Sequence, residues 1–518
     1  MRHASSRAIG LVVLVSCTVY NTPKVSEVPR PTATDSVAVA SPVKAHLLDG
    51  STVVFRTGVL VVRDTIRNAG AAPAYRFNLT LADSAPVDAL PLDSVVGMEA
   101  FRNSVNGPGT AALTALTLAG TTIGLGLAAI AIFGSCPTFY ADTGKGPTLE
   151  AEGFSYSIAP LFETRDVDRL RAHADVTGEV RIEVRNEALE THYINQLGLL
   201  EVRHTADELV VPDAAGRPLA LRRLVPPASA RDRAGRDVRS VLLETDGHAF
   251  STARGVVDRV TTADPDDFID LVFARPAGVD SVALLFRMRN SLLNTLLLYE
   301  LMLGDPGARS LDWMGQELEN IGPAARLGRW YAGRMGMHVL VRDGTEWRDV
   351  GRIPDTGPIA WDDVAVPVPV FPGDSLRIRV RFVVDDWRVD RIQAALGMRR
   401  AAARALAPAD VIGADGRQDT AARASLDSPD GRYLVTSPGQ RFEVRFAAGA
   451  APRDSERTFL LVSQGYYVEW LRASWMRGPH RPMTFEPSDA ALIETLHRWR
   501  AERADYERRF SASRIPVR

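Results

Sequence analysis

Alternation of polar and apolar residues is the main pattern of this chain. The segments Glu179–Arg185 and Arg377–Phe382 place every second side chain on one face, which is the period of a half-buried β-strand. Further short apolar runs, separated by turns rich in Gly, Pro and Asp, lie at 197–202, 209–211, 238–243, 268–273, 281–286, 337–341, 364–371, 442–446 and 458–467. Many short strands between such turns predict antiparallel β-sandwiches.

Helical spacing replaces this alternation in the middle and at the end of the chain. The middle segments lie at 291–303, 311–321 and 324–335 and are separated by Pro-Gly and Gly-Pro breaks. A last helix is predicted over Asp489–Arg509, where Leu492, Leu496 and Trp499 share one face. We expect that face to pack against the β domain.

Ala111–Phe133 is an apolar run without a charged residue, and its length matches the hydrocarbon core of a bilayer. Its leucines and isoleucines favour membrane insertion, whereas its threonines and glycines weaken it, so the summed insertion free energy is near zero. Gly120 and Gly124 suit close packing of membrane helices, but the same small residues also suit a hairpin buried inside protein. Both interpretations are open at this point.

The start of the chain is typical of an export signal. Arg2 and Arg7 precede the apolar run 8–15, and Cys17 directly follows a small residue, Ser16. This order resembles a lipobox and predicts a lipoprotein signal peptide over 1–17 with Cys17 as the lipidation site. An ordinary signal peptide that happens to contain a cysteine is the alternative. Residues 18–45 are rich in Pro, Ser and Thr, which predicts a flexible tether.

Composition narrows the class of protein. The chain has 518 residues, of which 46% are apolar, so it can build several buried cores. Its net charge of -2 provides no field that would attract nucleic acid, and we expect no nucleic-acid partner. If Cys17 carries lipid, Cys136 has no partner within the chain, which excludes an intramolecular disulfide and a cysteine-based metal site.

These elements predict a mainly β protein with α insertions. We divide it into a small β unit at 46–104, a hydrophobic segment at 108–135 that is a candidate transmembrane helix, a β-sandwich-like domain at 136–290, a helical insertion at 291–335, and a second β-rich unit with the C-terminal helix at 336–515. Leu243–Phe250 and Leu426–Tyr433 share an Asp-Gly pattern. Either a duplication of the two larger β units or convergent turn chemistry explains that likeness.

The sequence contains none of the catalytic or metal motifs that we sought. It has no Gly-x-Ser-x-Gly elbow and no His-Glu-x-x-His pair, so we expect no catalytic residue, no cofactor and no metal ligand. The acidic pairs at 266–267, 362–363 and 385–386 are either solvated loop ends, calcium-binding loops without the usual calcium-loop spacing, or, if the fold brings them together, the carboxylates of a glycosidase. Four aromatic residues near the end either fill the core or stack on sugar rings: Tyr466, Tyr467, Trp470 and Trp475.

Four segments carry a resemblance to a family. They are Ser135–Tyr140, Asn186–Tyr193, Arg231–Asp237 and Gly465–Trp470. Together they resemble uncharacterised bacterial envelope lipoproteins in which a hydrophobic stretch ends in Ser-Cys-Pro-Thr-x-Tyr. The resemblance covers most of the chain from about residue 46 onward. It implies a location in the cell envelope and brings no activity with it.

These observations predict a non-enzymatic envelope lipoprotein on the extracytoplasmic side, at the outer membrane or the periplasmic face. One partner would be the lipid bilayer, contacted through lipidated Cys17 and also through Ala111–Phe133 if that segment inserts. The other would be an envelope ligand or protein bound by the β units. One alternative is a surface enzyme that acts on polysaccharide. The other is a membrane-anchored assembly factor that uses Ala111–Phe133 to oligomerise.

Overall fold

The protein is mainly β in the computed structural model, which confirms the predicted fold class of antiparallel sheets with helical insertions and a C-terminal helix. The structure describes residues 36–518 apart from 78–83, 102–135, 145, 276–277, 298–308, 319, 451–454, 473–475, 477–486, 513 and 518. The predicted signal peptide with Cys17, most of the tether, the hydrophobic segment 108–135 and Trp475 lie outside the described residues. No helix among the described residues is both long enough and apolar enough to cross a membrane.

The strands run in the following order. The first group is β1 (Ser36–Val39), β2 (Val43–Leu47), β3 (Thr52–Phe55), β4 (Val59–Val62), β5 (Thr65–Asn68), β6 (Ala74–Phe77), β7 (Ser84–Val87), β8 (Ala89–Pro91) and β9 (Val95–Ala100). The second is β10 (Thr138–Asp142), β11 (Pro147–Glu152), β12 (Thr164–Arg169), β13 (Glu179–Arg185) and β14 (Glu190–His204). The third is β15 (Leu209–Pro212), β16 (Pro218–Leu221), β17 (Leu224–Val225), β18 (Ser229–Asp232), β19 (Asp266–Ala274), β20 (Val282–Asn290), β21 (Met337–Asp343), β22 (Glu346–Ile353), β23 (Asp362–Val368), β24 (Ser375–Val383), β25 (Trp387–Ala395) and β26 (Met398–Arg400). The last is β27 (Ala403–Leu406), β28 (Asp410–Gly413), β29 (Leu434–Thr436), β30 (Arg441–Ala447) and β31 (Glu456–Glu469).

Two helices of the described residues are long, the fourth and the sixth, and the others are short. In chain order, the helices are α1 (Arg254–Val257), α2 (Leu293–Thr295), α3 (Arg309–Asp312), which continues into a π-helical turn (Trp313–Glu317), α4 (Ile321–Arg334), α5 (Thr420–Leu426) and α6 (Asp489–Ala512). Three 3-10 turns lie at Leu92–Ser94, Pro160–Phe162 and Ser240–Leu242.

The N-terminal unit consists of two antiparallel sheets, with strand orders β1-β4-β5-β8 and β7-β6-β3-β2-β9. It begins at Ser36, inside the stretch whose composition predicts a tether. Val37 and Val39 alternate with small residues and are buried in the unit, together with Val43 of β2. A short alternating segment therefore forms an edge strand despite its Pro- and Ser-rich surroundings, because its backbone pairs with β4.

The two larger β units are nested sandwiches. The outer one packs the sheet β11-β10-β13-β30-β28 against β12-β31-β14-β27, with β29 also paired to β14. The inner one packs β17-β25-β20-β23 against β18-β19-β24-β21-β22, and the small sheet β15-β16-β26 lies beside it. The sheets thus cut across the predicted division at 290 and 336, since β13 and β14 pair with β30 and β31 from the far end of the chain. Periodicity identified the strands but carries no information on their partners.

A third core joins the helices to the N-terminal unit. Residues of α2, α3, α4 and α6 pack with β1–β9 in one apolar cluster. Leu492, Leu496 and Trp499 are each 0% exposed, which confirms the predicted buried face of the C-terminal helix. The Trp499 indole N–H also donates to a carboxylate oxygen of Asp385 at 2.7 Å, so α6 is fixed to the inner sandwich by a buried hydrogen bond.

Candidate functional site

A cavity of about 510 Å³ lies where both sandwiches meet the helical insertion. Its walls come from the β11–β12 connection, the end of β20 with α2, the middle of α4, and the loop that follows β22. Ile158, Leu161, Phe162 and Leu327 provide apolar walls. Leu161 is 47% exposed at the rim, so an apolar residue marks the entrance. The volume is typical of small-molecule sites.

Asn290 organises the polar floor of this cavity. Its carboxamide oxygen accepts hydrogen bonds from the Tyr156 hydroxyl at 2.8 Å and from the Thr356 backbone N–H at 2.7 Å. Its amide nitrogen donates to the Asp355 carboxyl group at 2.9 Å. Because Asn290 is 0% exposed and ends the central strand β20, these contacts hold Tyr156 and Asp355 in fixed positions.

Three polar groups on the same walls are left with unused hydrogen-bonding capacity. Asn294 is 7% exposed, and neither its amide nitrogen nor its oxygen has a hydrogen-bond partner among the described residues. The same holds for one carboxyl oxygen of Asp355 and for the Tyr331 hydroxyl. Asn294 and Tyr331 face the Asp355 carboxyl group closely enough to lower its pKa, although neither contact has the geometry of a hydrogen bond. Buried polar groups are normally satisfied, so this grouping is suited to hydrogen-bonding a ligand.

Glu152 adds a buried carboxyl group at the end of β11. One of its oxygens accepts the backbone N–H groups of Ile359 at 2.9 Å and Ala360 at 3.3 Å, and its other oxygen has no partner among the described residues. Gly357 presses against the same carboxyl group, where a Cβ atom would lie only 2.1 Å from the nearer oxygen. Burial raises the pKa of Glu152 to about 7, against the opposing effect of the two N–H donors.

Burial also raises the pKa values of the neighbouring aspartates. It raises the pKa of Asp355, and it raises that of Asp362 to about 8 with help from the charge of Asp166. Burial, followed by repulsion from Asp355, raises the pKa of Asp386 well above its ordinary range. The fold therefore brings members of two predicted acidic pairs, Asp362 and Asp386, into the surroundings of the cavity.

The other members of the acidic pairs are used in ion pairs elsewhere. Asp363 contacts Arg169 at 3.3 Å, and Asp266 of the third pair contacts Arg334 at 3.2 Å. Asp385 accepts hydrogen bonds from Arg388 and Arg503. The two residues of a pair thus have different contacts, because adjacent residues of a strand or tight turn point in different directions.

The β11–β12 connection holds backbone strain next to the cavity. Phe154 has a φ of +40°, which is an outlier for a bulky side chain, and it is 1% exposed. Its backbone N–H donates to Asp166 at 3.2 Å, which helps to fix the loop. Strain of this kind persists only where the surroundings determine the conformation, and it places Ser155 and Tyr156 on the cavity wall.

The predicted aromatic group is dispersed by the fold. Tyr467 lines the cavity, and its hydroxyl contacts the Ser155 carbonyl oxygen at 3.3 Å. Tyr466 faces the other side of β31, where its ring stacks on that of Tyr193 with centroids 4.6 Å apart. Trp470 is 1% exposed and stacks on His46 at 3.7 Å, so it joins the outer sandwich to the N-terminal unit and is not placed to bind a ligand. Trp475 lies outside the described residues.

Sequence reasoning missed the residues that form the cavity floor. Tyr156, Asn290, Asn294, Tyr331 and Asp355 are spread over four segments and match no motif. The available signal was weak: Asn290 precedes the largely apolar segment 291–303, and Asn294 interrupts it. Within the described part of the chain, no three His, Cys, Asp or Glu side chains are grouped to hold a metal ion.

Comparison with known proteins gives little further information. No protein-family model and no curated protein matches the chain. Among solved structures, it is similar to a GH31 alpha-xylosidase from Xanthomonas citri, with 9% identity over 84% of this chain and 38% of that one and a TM-score of 0.16. It is also similar to an uncharacterized protein from Listeria monocytogenes EGD-e, with 11% identity over 50% and 22% of the two chains and a TM-score of 0.14. The chain spans less than two fifths of the length of either protein, and TM-scores this low define neither a fold nor an activity for it.

Proposed function

We propose that this protein is a cell-envelope lipoprotein that binds a saccharide in the cavity between its two sandwiches. The observation that carries the proposal is the group formed by Asn294, Tyr331 and Asp355, whose free donors and acceptors lie on walls that are otherwise largely apolar. A sugar ring offers both hydroxyl groups for such a floor and C–H faces for apolar and aromatic walls.

The protonation of the cavity supports a polyhydroxylated ligand. Because burial raises the pKa of Glu152 to about 7, this carboxyl group is substantially protonated near neutral pH. A protonated carboxyl group donates one hydrogen bond and accepts others, which matches a hydroxyl group that does both. Several ionised carboxylates in so small a buried volume would instead repel one another.

The test is calorimetric binding of a saccharide panel to the full chain in detergent, including oligosaccharides of N-acetylglucosamine. Tyr331→Phe removes one free hydroxyl group, and Asn294→Ala removes the free amide. Each should weaken binding about 10-fold or more, since a lost hydrogen bond within a buried site typically costs about 1–3 kcal/mol. Tyr75→Phe is the matched control because Tyr75 is 39% exposed in the N-terminal unit. Equal affinity in the two tyrosine variants, or no saccharide binding by the unaltered chain, would reject the proposal.

The anchoring part of the proposal rests on the sequence around Cys17. Palmitate labelling of cells that produce the chain with Cys17 or Cys17→Ser tests it directly. Protease treatment of intact and of outer-membrane-permeabilised cells then locates residues 136–518. If these residues are protected until the inner membrane is breached, an extracytoplasmic location is excluded and Ala111–Phe133 becomes a membrane span.

A second candidate function is hydrolysis of a glycosidic bond. It is favoured by one observation, namely that Glu152 and Asp355 line the same cavity and both have pKa values raised by burial. In glycosidases one protonated carboxyl group acts as the acid and a second carboxylate acts as base or nucleophile. Release of nitrophenol from aryl glycosides by the unaltered chain, lost in Glu152→Gln while sugar binding persists, would establish catalysis. If the unaltered chain binds sugars but releases no nitrophenol, catalysis is rejected and only the binding function remains.

A further inference from the structure

A second cavity, of about 660 Å³, lies between the C-terminal helix α6 and the inner sandwich. Four arginines line it: Arg289, Arg388, Arg503 and Arg514. Glu507 is the single acidic residue on its described wall. Arg514 is paired with Glu187 at 2.7 Å, and the other three arginines are set against Glu507 and the neighbouring Asp385. The remaining positive charge on this concave surface favours small anions.

Two of these arginines are held in place by Asp385, which lies just behind the wall. Arg388 donates to Asp385 at 2.9 Å, and Arg503 donates to the same carboxylate at 3.1 Å. Asp385 has a φ of +58° in the tight turn before β25, and this conformation is uncommon outside Gly, Asn and Asp. The turn therefore positions the guanidinium groups of Arg388 and Arg503 on the cavity wall.

Arg388 keeps an unused donor despite these contacts. The residue is 7% exposed, and its Nη2 atom has no hydrogen bond to the described residues. The Glu507 carboxylate lies 3.8 Å from Nη2, which is an ion pair without a hydrogen bond. A buried guanidinium donor without a hydrogen bond is costly, and an added acceptor would satisfy it.

The positive charge of Arg289 is offset by fewer contacts than that of Arg388. It forms no ion pair with a described carboxylate, and its buried Nε atom has no hydrogen-bond partner among the described residues. Its guanidinium group donates to the Pro358 carbonyl oxygen and lies 5.0 Å from the ring centre of Trp361. Burial, and then the positive charge of Arg388, lower the pKa of Arg289. The two guanidinium groups therefore repel each other across a partly buried space.

We infer that this cavity binds an oxyanion, the carboxylate or phosphate group of a small ligand, between Arg289 and Arg388. Both arginines offer hydrogen-bond donors in planar forks that match the oxygens of such a group. An anion would also offset the repulsion between the two positive charges. The site is distinct from the proposed saccharide cavity and does not depend on it, although Ser291 and Pro358 line both cavities.

The experiment measures the binding of inorganic phosphate and of glucuronate to the full chain by calorimetry, at low and at high NaCl concentration. The variants are Arg289→Gln, Arg289→Lys and the control Arg417→Gln, whose side chain is 88% exposed and lies outside the cavity wall. Circular dichroism verifies that each variant is folded. The two probes distinguish a phosphate-bearing ligand from a carboxylate-bearing one.

We expect at least one of the two anions to bind, and binding to weaken about 10-fold or more in Arg289→Gln but not in Arg417→Gln. Arg289→Lys keeps the charge without the planar fork and should lie between these limits. Equal affinity in folded Arg289→Gln and Arg417→Gln would overturn the inference. So would the absence of binding of both anions by the unaltered chain at millimolar concentration.

Discussion

The carboxyl group of Glu152 should make the stability of the protein depend on pH in a way that one substitution removes. Glu152 is buried, and burial raises its pKa from an ordinary 4.5 to about 7 in the folded state. The folded protein therefore binds this proton more tightly than the unfolded chain. Its stabilising effect is complete below pH 4.5 and is lost as the pH rises through 7.

The size of this effect follows from the shift. At 1.36 kcal/mol per pKa unit, the change corresponds to about 3 kcal/mol of unfolding free energy. Glu152→Gln stays neutral at every pH, and its amide oxygen can still accept the N–H groups of Ile359 and Ala360. At about pH 5 we therefore expect the variant and the unaltered chain to differ by less than about 1 kcal/mol. Near pH 8.5 the variant should be more stable by about 2–3 kcal/mol.

Urea unfolding followed by tryptophan fluorescence at both pH values measures this difference. Asp267 also titrates, but it does so in both proteins and cancels in the comparison. The charge of Glu152 contributes to raising the pKa of Asp362, so removing that charge adds to the stability of the variant at high pH, in the same direction. Glu346→Gln, at an exposed position on β22, serves as the control and should show no pH-dependent difference. If the difference between Glu152→Gln and the unaltered chain is the same at both pH values, Glu152 does not hold a proton near neutrality and the reasoning is wrong.

Three further predictions concern packing and anchoring. Gly357→Ala would place its Cβ atom 2.1 Å from a buried carboxyl oxygen and should destabilise the protein by about 1–3 kcal/mol. Gly255→Ala is the control, because its Cβ atom would have no atom within 4 Å. Equal losses of unfolding free energy in the two variants, measured by urea unfolding, would contradict this prediction. Trp499→Phe keeps an aromatic side chain but removes the 2.7 Å hydrogen bond to buried Asp385 and part of the buried indole, and we expect a loss of at least about 1.5–3 kcal/mol. Unchanged stability would mean that neither contributes. Cys17→Ser should abolish palmitate incorporation, and label that survives the substitution would show that the lipid is attached elsewhere.

Local sequence patterns located many elements of this protein, although the predicted strand at 238–243 is a 3-10 turn, Ser240–Leu242. The alternation in Glu179–Arg185 and Arg377–Phe382 correctly located β13 and most of β24, since every second side chain of a strand must face the core. The shared face of Leu492, Leu496 and Trp499 likewise located the buried side of α6. Both patterns are local, because each depends only on the residue periodicity of one strand or helix and on the burial of one of its faces.

The way these elements combine, and the residues that form the two cavities, depend on contacts between distant parts of the chain. The pairing of β14 with β31 joins residues more than 250 positions apart, and no local pattern specifies such a partner. Asn290, at the end of β20, and Asp355, after β22, meet because the two sheets of the inner sandwich pack together, and Arg289 and Arg388 are cross-strand partners on β20 and β25 that α6 covers to form the cavity. The role of a polar residue in an apolar segment depends on the groups that face it. Packing between distant parts of the chain determines which groups those are.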